Sequence, residues 1–365
     1  EAVSFKKYKA CKTRIFFSCP AELLVIVRMF YLGFARVVQR NRELFWVAIG
    51  LNTTSPEWDA LFHVLAKFGV DTTIAGDHVF YDKKVKMLVM YYVMNAINRI
   101  CIASGNYTEE MKLMMEVLKY ELMNPSVDFF GMLITLLGGE VSGHQLTTIF
   151  NCVLNIFYLM YAYSKAGYDL NTFFEKVVGV ILGDDHILCV SPDRPLYHHT
   201  HIKDVLEGLG LGYTMADKDS ESRPYISLYE APFLKRTFFY DVNLGVHVGR
   251  LEFNSIVKML TVQVKSKSIM VSTQLAQAIC SATSEIFFYG EDIFNEFNDF
   301  INRLDKSESL QIQMLEYPTL SFDGYKRRFW SSSKTTKAYD TGLQSQKSHI
   351  LVSYCPRQIS VLDRR

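Results

Sequence analysis

Residues 177–190 read VVGVILGDDHILCV, two apolar runs that flank Gly183, Asp184, Asp185 and His186. Uncharged runs rich in Val, Ile and Leu are typical of buried strands, and Gly and Asp are ordinary turn residues. The stretch therefore predicts a β-hairpin whose tight turn carries two adjacent carboxylates. Such a turn is a candidate site for Mg²⁺ or Mn²⁺, because hard cations bind carboxylate oxygens. By itself, however, the tripeptide Gly183-Asp184-Asp185 favours the simpler interpretation, a solvated hairpin turn.

A second acidic pair lies well upstream of this turn. Asp77 follows a short strand predicted at Asp71–Ala75, and Asp82 comes five residues later. Two-metal nucleotidyl transfer needs carboxylates from separate strands, and Asp77 beside Asp184 would meet that need. An Asx turn next to an unrelated aspartate is the alternative for this pair alone.

Small and polar residues recur four apart in a helix predicted from Ser142 to Tyr163. Gly143, Thr147 and Asn151 would share one face of this otherwise apolar helix. A nucleotide sugar and a template backbone would supply the polar partners that such a face needs. A helix N-cap with Thr and Asn bonded to nearby backbone explains the pattern equally well.

The composition allows a sizeable folded core. The chain has 365 residues, 49% hydrophobic and 21% charged, which suggests two or three linked lobes. The net charge is +1, so any electrostatic guide for nucleic acid would have to be a local channel. Seven cysteines without a C-x-x-C pair argue against a zinc ribbon or a disulfide framework and fit a reducing compartment. No stretch is long and apolar enough to suggest a membrane span.

The remaining patterns mix strands and helices without strict alternation, which indicates an α+β class. The run at Ile149–Tyr163 predicts a buried core helix, and Ser55 followed by Pro56 predicts a helix start with Ser as N-cap. From Ser255 to Leu304 the pattern is mainly helical. One apolar face is expected there, formed by Ile293, Phe297, Phe300 and Leu304.

The order of the motifs resembles that of RNA-dependent RNA polymerases of positive-strand RNA viruses, picornavirus-like and closest to the dicistrovirus and iflavirus branch. Each motif is weak alone, but the ordered set is specific. In chain order the motifs are Lys12-Thr13-Arg14, Ala75-Gly76-Asp77 with Asp82, Ser142-Gly143 with Thr147 and Asn151, Leu182-Gly183-Asp184-Asp185, Gly212–Lys218, and Phe233-Leu234-Lys235-Arg236.

The resemblance implies a right-hand fold of fingers, palm and thumb, with a palm made of an antiparallel sheet packed on helices. Family members carry a fingers segment ahead of the basic motif, so this chain is expected to lack its N-terminal fingers segment. The implied divisions are 1–70, part of the fingers with the basic motif for incoming nucleotides; 71–103, palm with the first motif; 104–137, fingers insertion; 138–240, remaining palm; 241–330, thumb; and 331–365, a polar tail.

The resemblance also implies transfer of ribonucleoside triphosphates onto a primer 3′ end on an RNA template. Asp77 and Asp184 would bind two Mg²⁺ ions, for which Mn²⁺ can substitute, and Asp185 would be a secondary ligand. Lys218 would protonate the leaving pyrophosphate, although a surface lysine in a charged loop explains it equally well. Nucleotide binding is implied for Lys12, Arg14, Asp82, Ser142, Thr147 and Asn151. RNA binding is implied for Gly143, Lys235 and Arg236.

The implied partners are RNA template and primer, ribonucleoside triphosphates, a protein-linked primer and other viral replication proteins. The implied location is the host cytoplasm, in viral replication complexes. Two alternatives stay open at this point, a reverse transcriptase and a catalytically inactive RNA-binding relative. Several residues depart from the family's usual pattern, namely His78, Tyr81, Lys83, Lys84, Val141, Leu182 and His186.

Overall fold

The computed structural model describes Lys9 and residues 17–139, 143–262, 266–308 and 319–332. Lys12, Arg14, Ser142 and the tail from residue 333 onward lie outside the described residues. The chain forms two compact units. Within the described residues, unit one comprises those up to residue 49 and those within 76–224, and unit two comprises those within 50–75 and 225–332. Among the described helices, none has the length and apolarity needed to cross a membrane.

Unit one is mainly helical around one sheet. Its described α-helices are α1 (Ala21–Arg40), α2 (Arg42–Phe45), α4 (Tyr81–Lys84), α5 (Met87–Ala103), α6 (Glu109–Met123), α7 (Thr147–Lys165), α8 (Phe173–Lys176) and α9 (His199–Gly208). Helix α3 (Glu57–Leu65) belongs to unit two. A separate hairpin joins β2 (Ser126–Phe129) to β3 (Met132–Thr135).

The four-stranded sheet has the order β4-β5-β1-β6. Strand β4 (Val177–Leu182) runs antiparallel to β5 (Asp185–Val190), and β1 (Thr73–Val79) runs antiparallel to β6 (Gly212–Met215). The predicted strand at Asp71–Ala75 is thus real but lies further along the chain. Asp77 is part of β1 and does not follow the strand. Its carboxylate is therefore held by a buried strand, more rigidly than a loop would hold it.

Helix α7 is the core helix that the apolar run predicts. It packs against β4 and α9, and nearly every side chain from Ile149 to Tyr163 is buried, including Asn155. The helix begins at Thr147, however, so the predicted helical face shared with Gly143 is wrong. Gly143 has φ +141°, a conformation that a helix cannot contain and that glycine adopts most easily.

Unit two contains the hairpin of β7 (Arg236–Asp241) and β8 (Val246–Leu251). Its described helices are α3 (Glu57–Leu65), α10 (Phe253–Thr261), α11 (Val271–Ile286), α12 (Glu291–Glu308) and α13 (Phe322–Ser331). Trp58, fully buried on α3, stacks on Phe238 of β7 at a centroid distance of 4.9 Å. Helix α3 starts close to the predicted Ser55, whose Oγ accepts a hydrogen bond from the Glu57 N–H.

The predicted apolar face of α12 is wrong in its phase. Among the described side chains of this helix, Phe294 and Ile301 are buried, and Phe297 of the predicted face is partly buried against the same core, whereas Ile293 and Phe300 are exposed. Positions 294 and 301 are seven residues apart and share a helix face, and 293 and 300 lie about 100° around the axis from them. Both pairs fit a helical period, so the spacing predicts the helix without deciding which pair is buried.

Candidate active site

The acidic hairpin turn has the predicted form. Leu182 pairs with Asp185, so Gly183 and Asp184 are the two residues of the turn. Gly183 has φ +69°, a left-handed conformation that glycine adopts without steric cost. Its N–H points to Cys152 Sγ at 3.2 Å. The turn therefore needs glycine for its backbone, and it presents Asp184 at the tip of the hairpin.

The two acidic motifs meet, because β5 and β1 are neighbours in the sheet. Asp77 is buried on β1 and Asp184 is half-buried at the turn. Burial raises the pKa of Asp184 above its usual value, and the negative charge of Asp77 raises it further, with a smaller contribution from Asp82. Three carboxylates from two distant stretches of sequence thus share one electrostatic environment.

Lys218 neutralises part of this charge. Its Nζ lies 2.7 Å from Asp77 Oδ2, and its charge also lowers the pKa of Asp184. The residue follows β6, where its φ of +68° turns the chain. The side chain is 66% exposed, so the ammonium group reaches the carboxylates from the solvent side.

A buried amide supports the acidic turn from below. Asn155 of α7 is fully buried, and its Nδ2 donates to the carbonyl oxygens of Gly183 and Asp184 at 3.1 and 3.2 Å. Because those oxygens can only accept, this fixes the orientation of the amide. Oδ1 then accepts a hydrogen bond from Nε2 of His78, at 3.1 Å. Asn155 therefore links the turn to the strand that carries Asp77.

The two histidines that depart from the family pattern are both buried here as neutral rings. Desolvation lowers the pKa of His78 to about 4 and holds the pKa of His186 well below its usual value. His186 Nε2 lies 2.6 Å from the Tyr213 hydroxyl, and its Nδ1 lies 3.3 Å from the Asp184 carbonyl oxygen. Tyr213, from β6, is almost fully buried. The sheet thus carries a polar network directly beneath the carboxylates.

Gly76 is required by this network. A Cβ at this position would lie 1.9 Å from the Tyr213 hydroxyl oxygen, so only glycine leaves room for the ring. The glycine before Asp77 is therefore explained by packing against β6.

The predicted nucleotide-binding residues of α7 carry unused polar atoms. Thr147 Oγ1 and Asn151 Oδ1 are buried and have no hydrogen-bond partner within the described part of the chain. The Asn151 carbonyl oxygen accepts from the Tyr81 hydroxyl at 3.1 Å, which joins α7 to the short helix α4 that carries the exposed Asp82. Buried polar atoms without partners are rare in folded proteins, so these two atoms are free to bond to water or to a bound molecule.

Comparison with known proteins identifies the family. The family model described as viral RNA-dependent RNA polymerase matches residues 1–305. The chain belongs to this polymerase family. It is 26% identical over 293 residues to the RNA1 polyprotein of Satsuma dwarf virus, and 25% identical over 312 residues to the replicase polyprotein of Acute bee paralysis virus. These matches cover 78% and 82% of this chain but only 14% and 16% of the polyproteins.

The polymerase fold is confirmed by a solved structure. The Sicinivirus 3Dpol RNA dependent RNA polymerase superposes with a TM-score of 0.74 at 16% identity, over 90% of this chain and 65% of that one. The predicted α+β, right-hand polymerase fold is therefore confirmed, as is the resemblance to polymerases of positive-strand RNA viruses. The divisions into fingers, palm, thumb and tail stay predictions.

The last polymerase motif behaves differently from its prediction. The Arg236 guanidinium donates to both carboxylate oxygens of Glu285 at 2.7 and 2.6 Å and to the Gly249 carbonyl oxygen at 2.8 Å. It is only 9% exposed and bonds within unit two, which argues against the predicted contact of Arg236 with RNA, although that contact stays a prediction. The neighbouring Lys235 is exposed, and its contact with RNA stays a prediction.

Sequence reasoning missed the supporting residues of this polymerase site. His78 and His186 stand out there only as departures from the family pattern, and Asn155 lies inside the apolar run that predicts a buried core helix. One signal was present: three polar residues stand inside or beside apolar segments that must be buried. Such residues need partners, and in the structure they find them in each other, in the acidic turn and in Tyr213.

Proposed function

We propose that this chain is the catalytic core of a viral RNA-dependent RNA polymerase, which replicates a viral RNA genome by two-metal nucleotidyl transfer. Ribonucleoside triphosphates would be joined to a primer 3′ end on an RNA template. The observation that carries the proposal is the meeting of Asp77, on β1, with Asp184, in the turn that leads into the neighbouring strand β5, in a common environment that raises the pKa of Asp184.

The carboxylates fit divalent cations. Repulsion between Asp77, Asp82 and Asp184 is only partly offset by Lys218, and oxygen donors of this kind suit Mg²⁺, with Mn²⁺ as a substitute. Asp77 and Asp184 would hold the ions, with Asp185 as a secondary ligand. When bound, two such ions would activate the primer hydroxyl and stabilise the leaving pyrophosphate.

Lys218 is proposed as the acid that gives a proton to the pyrophosphate. Its ammonium group rests on Asp77 at 2.7 Å, and its exposed, flexible side chain can turn toward a bound triphosphate. The lysine would then neutralise Asp77 until substrate and cations replace it.

Selection of ribose is proposed for the polar atoms of α7 together with Asp82. Thr147 Oγ1 and Asn151 Oδ1 are buried without partners in the described residues, and the Tyr81 hydroxyl bond joins their helix to the one that carries Asp82. A ribose 2′-hydroxyl both donates and accepts a hydrogen bond, whereas deoxyribose offers neither. Ser142 would complete this set.

Other residues would hold the remaining parts of the substrates. Lys12 and Arg14 are proposed to bind the triphosphate, since a guanidinium fork pairs well with phosphate oxygens. Gly143 and Lys235 are proposed to contact the RNA backbone. A protein-linked primer and other viral replication proteins are proposed partners, in replication complexes of the host cytoplasm.

Primer extension on an RNA template with Mg²⁺ tests the proposal. We expect Asp184→Asn to lower the rate by about 10²–10⁴-fold or more, because a metal ligand supports several kcal/mol of transition-state stabilisation. Asp193→Asn, at an exposed aspartate of the same unit, is the matched control and should keep wild-type activity. Without metal, Asp184→Asn should melt no lower than wild type, because it removes a charge that burial and Asp77 disfavour.

The outcomes separate the alternatives. Equal extension by wild type and Asp184→Asn would show that Asp184 is not a metal ligand. Efficient use of deoxyribonucleotides would favour a reverse transcriptase. RNA binding without extension by the wild-type chain would favour a catalytically inactive relative.

A further inference from the structure

A second group of metal-ligating side chains lies in unit two. Asp59 and His63 are four residues apart on α3, so both project from one face of the helix, and His247 reaches them from β8. One ligand atom from each residue lies within 4.8 Å of those from the other two. The proposed polymerase chemistry uses none of these residues.

The distances approach those of a tetrahedral metal site. His247 Nδ1 lies 2.9 Å from Asp59 Oδ1, and His63 Nε2 lies 3.5 Å from Asp59 Oδ2. Ligands about 2.0–2.1 Å from a zinc ion at tetrahedral angles are roughly 3.3–3.4 Å apart. Small rotations of the side chains would therefore bring the three ligands to their positions around an ion.

The surroundings of His247 fix its ring. Phe62 stacks on the imidazole at a centroid distance of 3.5 Å, and Tyr229 places its hydroxyl 3.5 Å from Nε2. When Nδ1 binds a metal, Nε2 carries the proton, and the Tyr229 hydroxyl oxygen can accept a hydrogen bond from this N–H group. Partners of this kind orient the ligating histidines of metal sites.

Asp59 can also release His247 Nδ1 without losing all its partners. The His247 backbone N–H donates to Asp59 Oδ1 at 2.8 Å, so this oxygen stays bonded when Nδ1 turns to a metal. His63 is 68% exposed, which leaves solvent access for a fourth ligand. A half-buried aspartate, a buried histidine and an exposed histidine thus bring their ligand atoms together.

We propose that Asp59, His63 and His247 bind one zinc ion, with a water molecule as the fourth ligand. Two imidazole nitrogens and one carboxylate oxygen are a common donor set for Zn²⁺, and this set suits Mg²⁺ poorly. The ion would join α3 to β8 and stabilise unit two. The simpler alternative is a hydrogen-bonded Asp59–His247 pair that binds no metal.

Zinc titration of the chelator-treated full chain tests the site. The Asp77→Asn/Asp184→Asn background, with excess Mg²⁺, removes competition from the other carboxylates. We expect one high-affinity Zn²⁺ by calorimetry, a higher melting temperature with zinc, and the visible absorption of tetrahedral Co²⁺ when cobalt replaces it. His63→Gln changes an exposed residue, so the fold should remain. Outer-shell partners alone account for about 10–100-fold in metal affinity, so loss of a ligand should weaken binding by at least that much.

A second histidine variant controls for zinc binding to histidines outside the proposed site. His198→Gln, in unit one, should leave zinc affinity and the cobalt spectrum unchanged. The proposal is overturned if His63→Gln binds zinc as tightly as its parent, if His198→Gln weakens binding equally, or if no zinc binds to the folded parent chain. Polymerase activity is not a readout here, so failure of this proposal and failure of the proposed function remain distinguishable.

Discussion

Two tight turns carry charged residues of polymerase motifs, and they direct those charges in opposite ways. The Gly183–Asp184 turn presents its carboxylate near Asp77 and Lys218. The turn from Phe233 to Arg236 closes with two backbone hydrogen bonds of 2.9 Å, and it directs Arg236 inward. One turn places a half-buried carboxylate beside other charged groups, and the other buries a guanidinium that is paired with a carboxylate.

The difference comes from partners that are distant in sequence. Asn155 bonds to the backbone carbonyl oxygens of Gly183 and Asp184 at the acidic turn. Within the described residues, no cationic side chain lies as close to the Asp184 carboxylate as Lys218 lies to Asp77. Glu285, on α11, accepts hydrogen bonds from both terminal guanidinium nitrogens of Arg236. A motif therefore specifies which charge stands at a turn, whereas the rest of the fold decides whether that charge is available to a substrate.

The largest effect on stability is expected at the Arg236–Glu285 pair. Arg236→Met should lower the free energy of unfolding by about 3–5 kcal/mol, because it leaves a buried Glu285 carboxylate without its partner. Lys235→Met, at the exposed neighbouring position, should change it by less than about 0.5 kcal/mol. Urea unfolding measures both variants.

A double variant sharpens this test. Arg236→Met combined with Glu285→Leu removes both charges and should recover most of the lost stability, because an apolar pair of similar size replaces a buried ion pair at little cost. If Arg236→Met is as stable as wild type, the ion pair is not buried in solution and Arg236 could contact RNA after all.

The sequence predicted the acidic hairpin in detail because every signal for it is local. Apolar strands, a turn glycine and adjacent aspartates all lie within residues 177–190. Family order then placed Asp77 beside Asp184, which the neighbouring strands and the raised pKa support. The burial of Arg236 could not be predicted in this way, since no local pattern points to Glu285, 49 residues further along the chain.

The predictions of which face of α12 is buried and of where α7 starts failed for the same physical reason. Helical spacing in Ile293–Leu304 fits more than one face, and only the packing of neighbouring helices selects Phe294 and Ile301. Gly143 shares the four-residue spacing of Thr147 and Asn151, but its φ of +141° places it ahead of the helix. Spacing predicts an element, and packing decides its limits and its buried side.

The next largest effect is a loss of folding stability in acid, caused by the buried His78 next to the acidic turn. The pKa of His78 is about 4 in the fold and near 6.5 in an unfolded chain, so the unfolded chain binds more protons between these values. The stability that depends on neutral His78 is fully present above pH 6.5 and is lost as the pH falls toward 4. At about 1.4 kcal/mol per pKa unit, His78 should cost roughly 3 kcal/mol by pH 4.

A matched variant assigns this effect. His78→Gln can still donate to Asn155 but does not titrate, so its stability should fall less steeply between pH 6.5 and 4. Urea unfolding across this range checks the slopes. His186 contributes in the same direction, so some slope should remain in the variant. Identical slopes in the two proteins would mean that His78 takes up protons in the folded chain.

Asn155→Leu should have a smaller effect of about 2–3 kcal/mol. Leucine fills a similar volume with apolar atoms, but it cannot donate to the carbonyl oxygens of Gly183 and Asp184 as the amide does. Unsatisfied buried polar groups cost about 1–3 kcal/mol. Asn171→Leu, at an exposed asparagine, is the control and should be near neutral. If Asn155→Leu matches the control in unfolding experiments, the amide does not support the turn.

The smallest expected effect is also the most direct comparison of the two turns. Leu234 and Lys235 both have positive φ, 54° and 60°, which costs an ordinary residue about 1–2 kcal/mol. Lys235→Gly should therefore stabilise the chain by about 0.5–1 kcal/mol after the entropy of glycine is counted.

Gly183→Ala should destabilise the chain by about 1 kcal/mol. Nothing lies within 4 Å of a Cβ at Gly183, so the backbone angle alone sets that cost. Thermal melts should show opposite signs for the two variants, and equal signs would mean that contacts, rather than backbone conformation, control one of the turns.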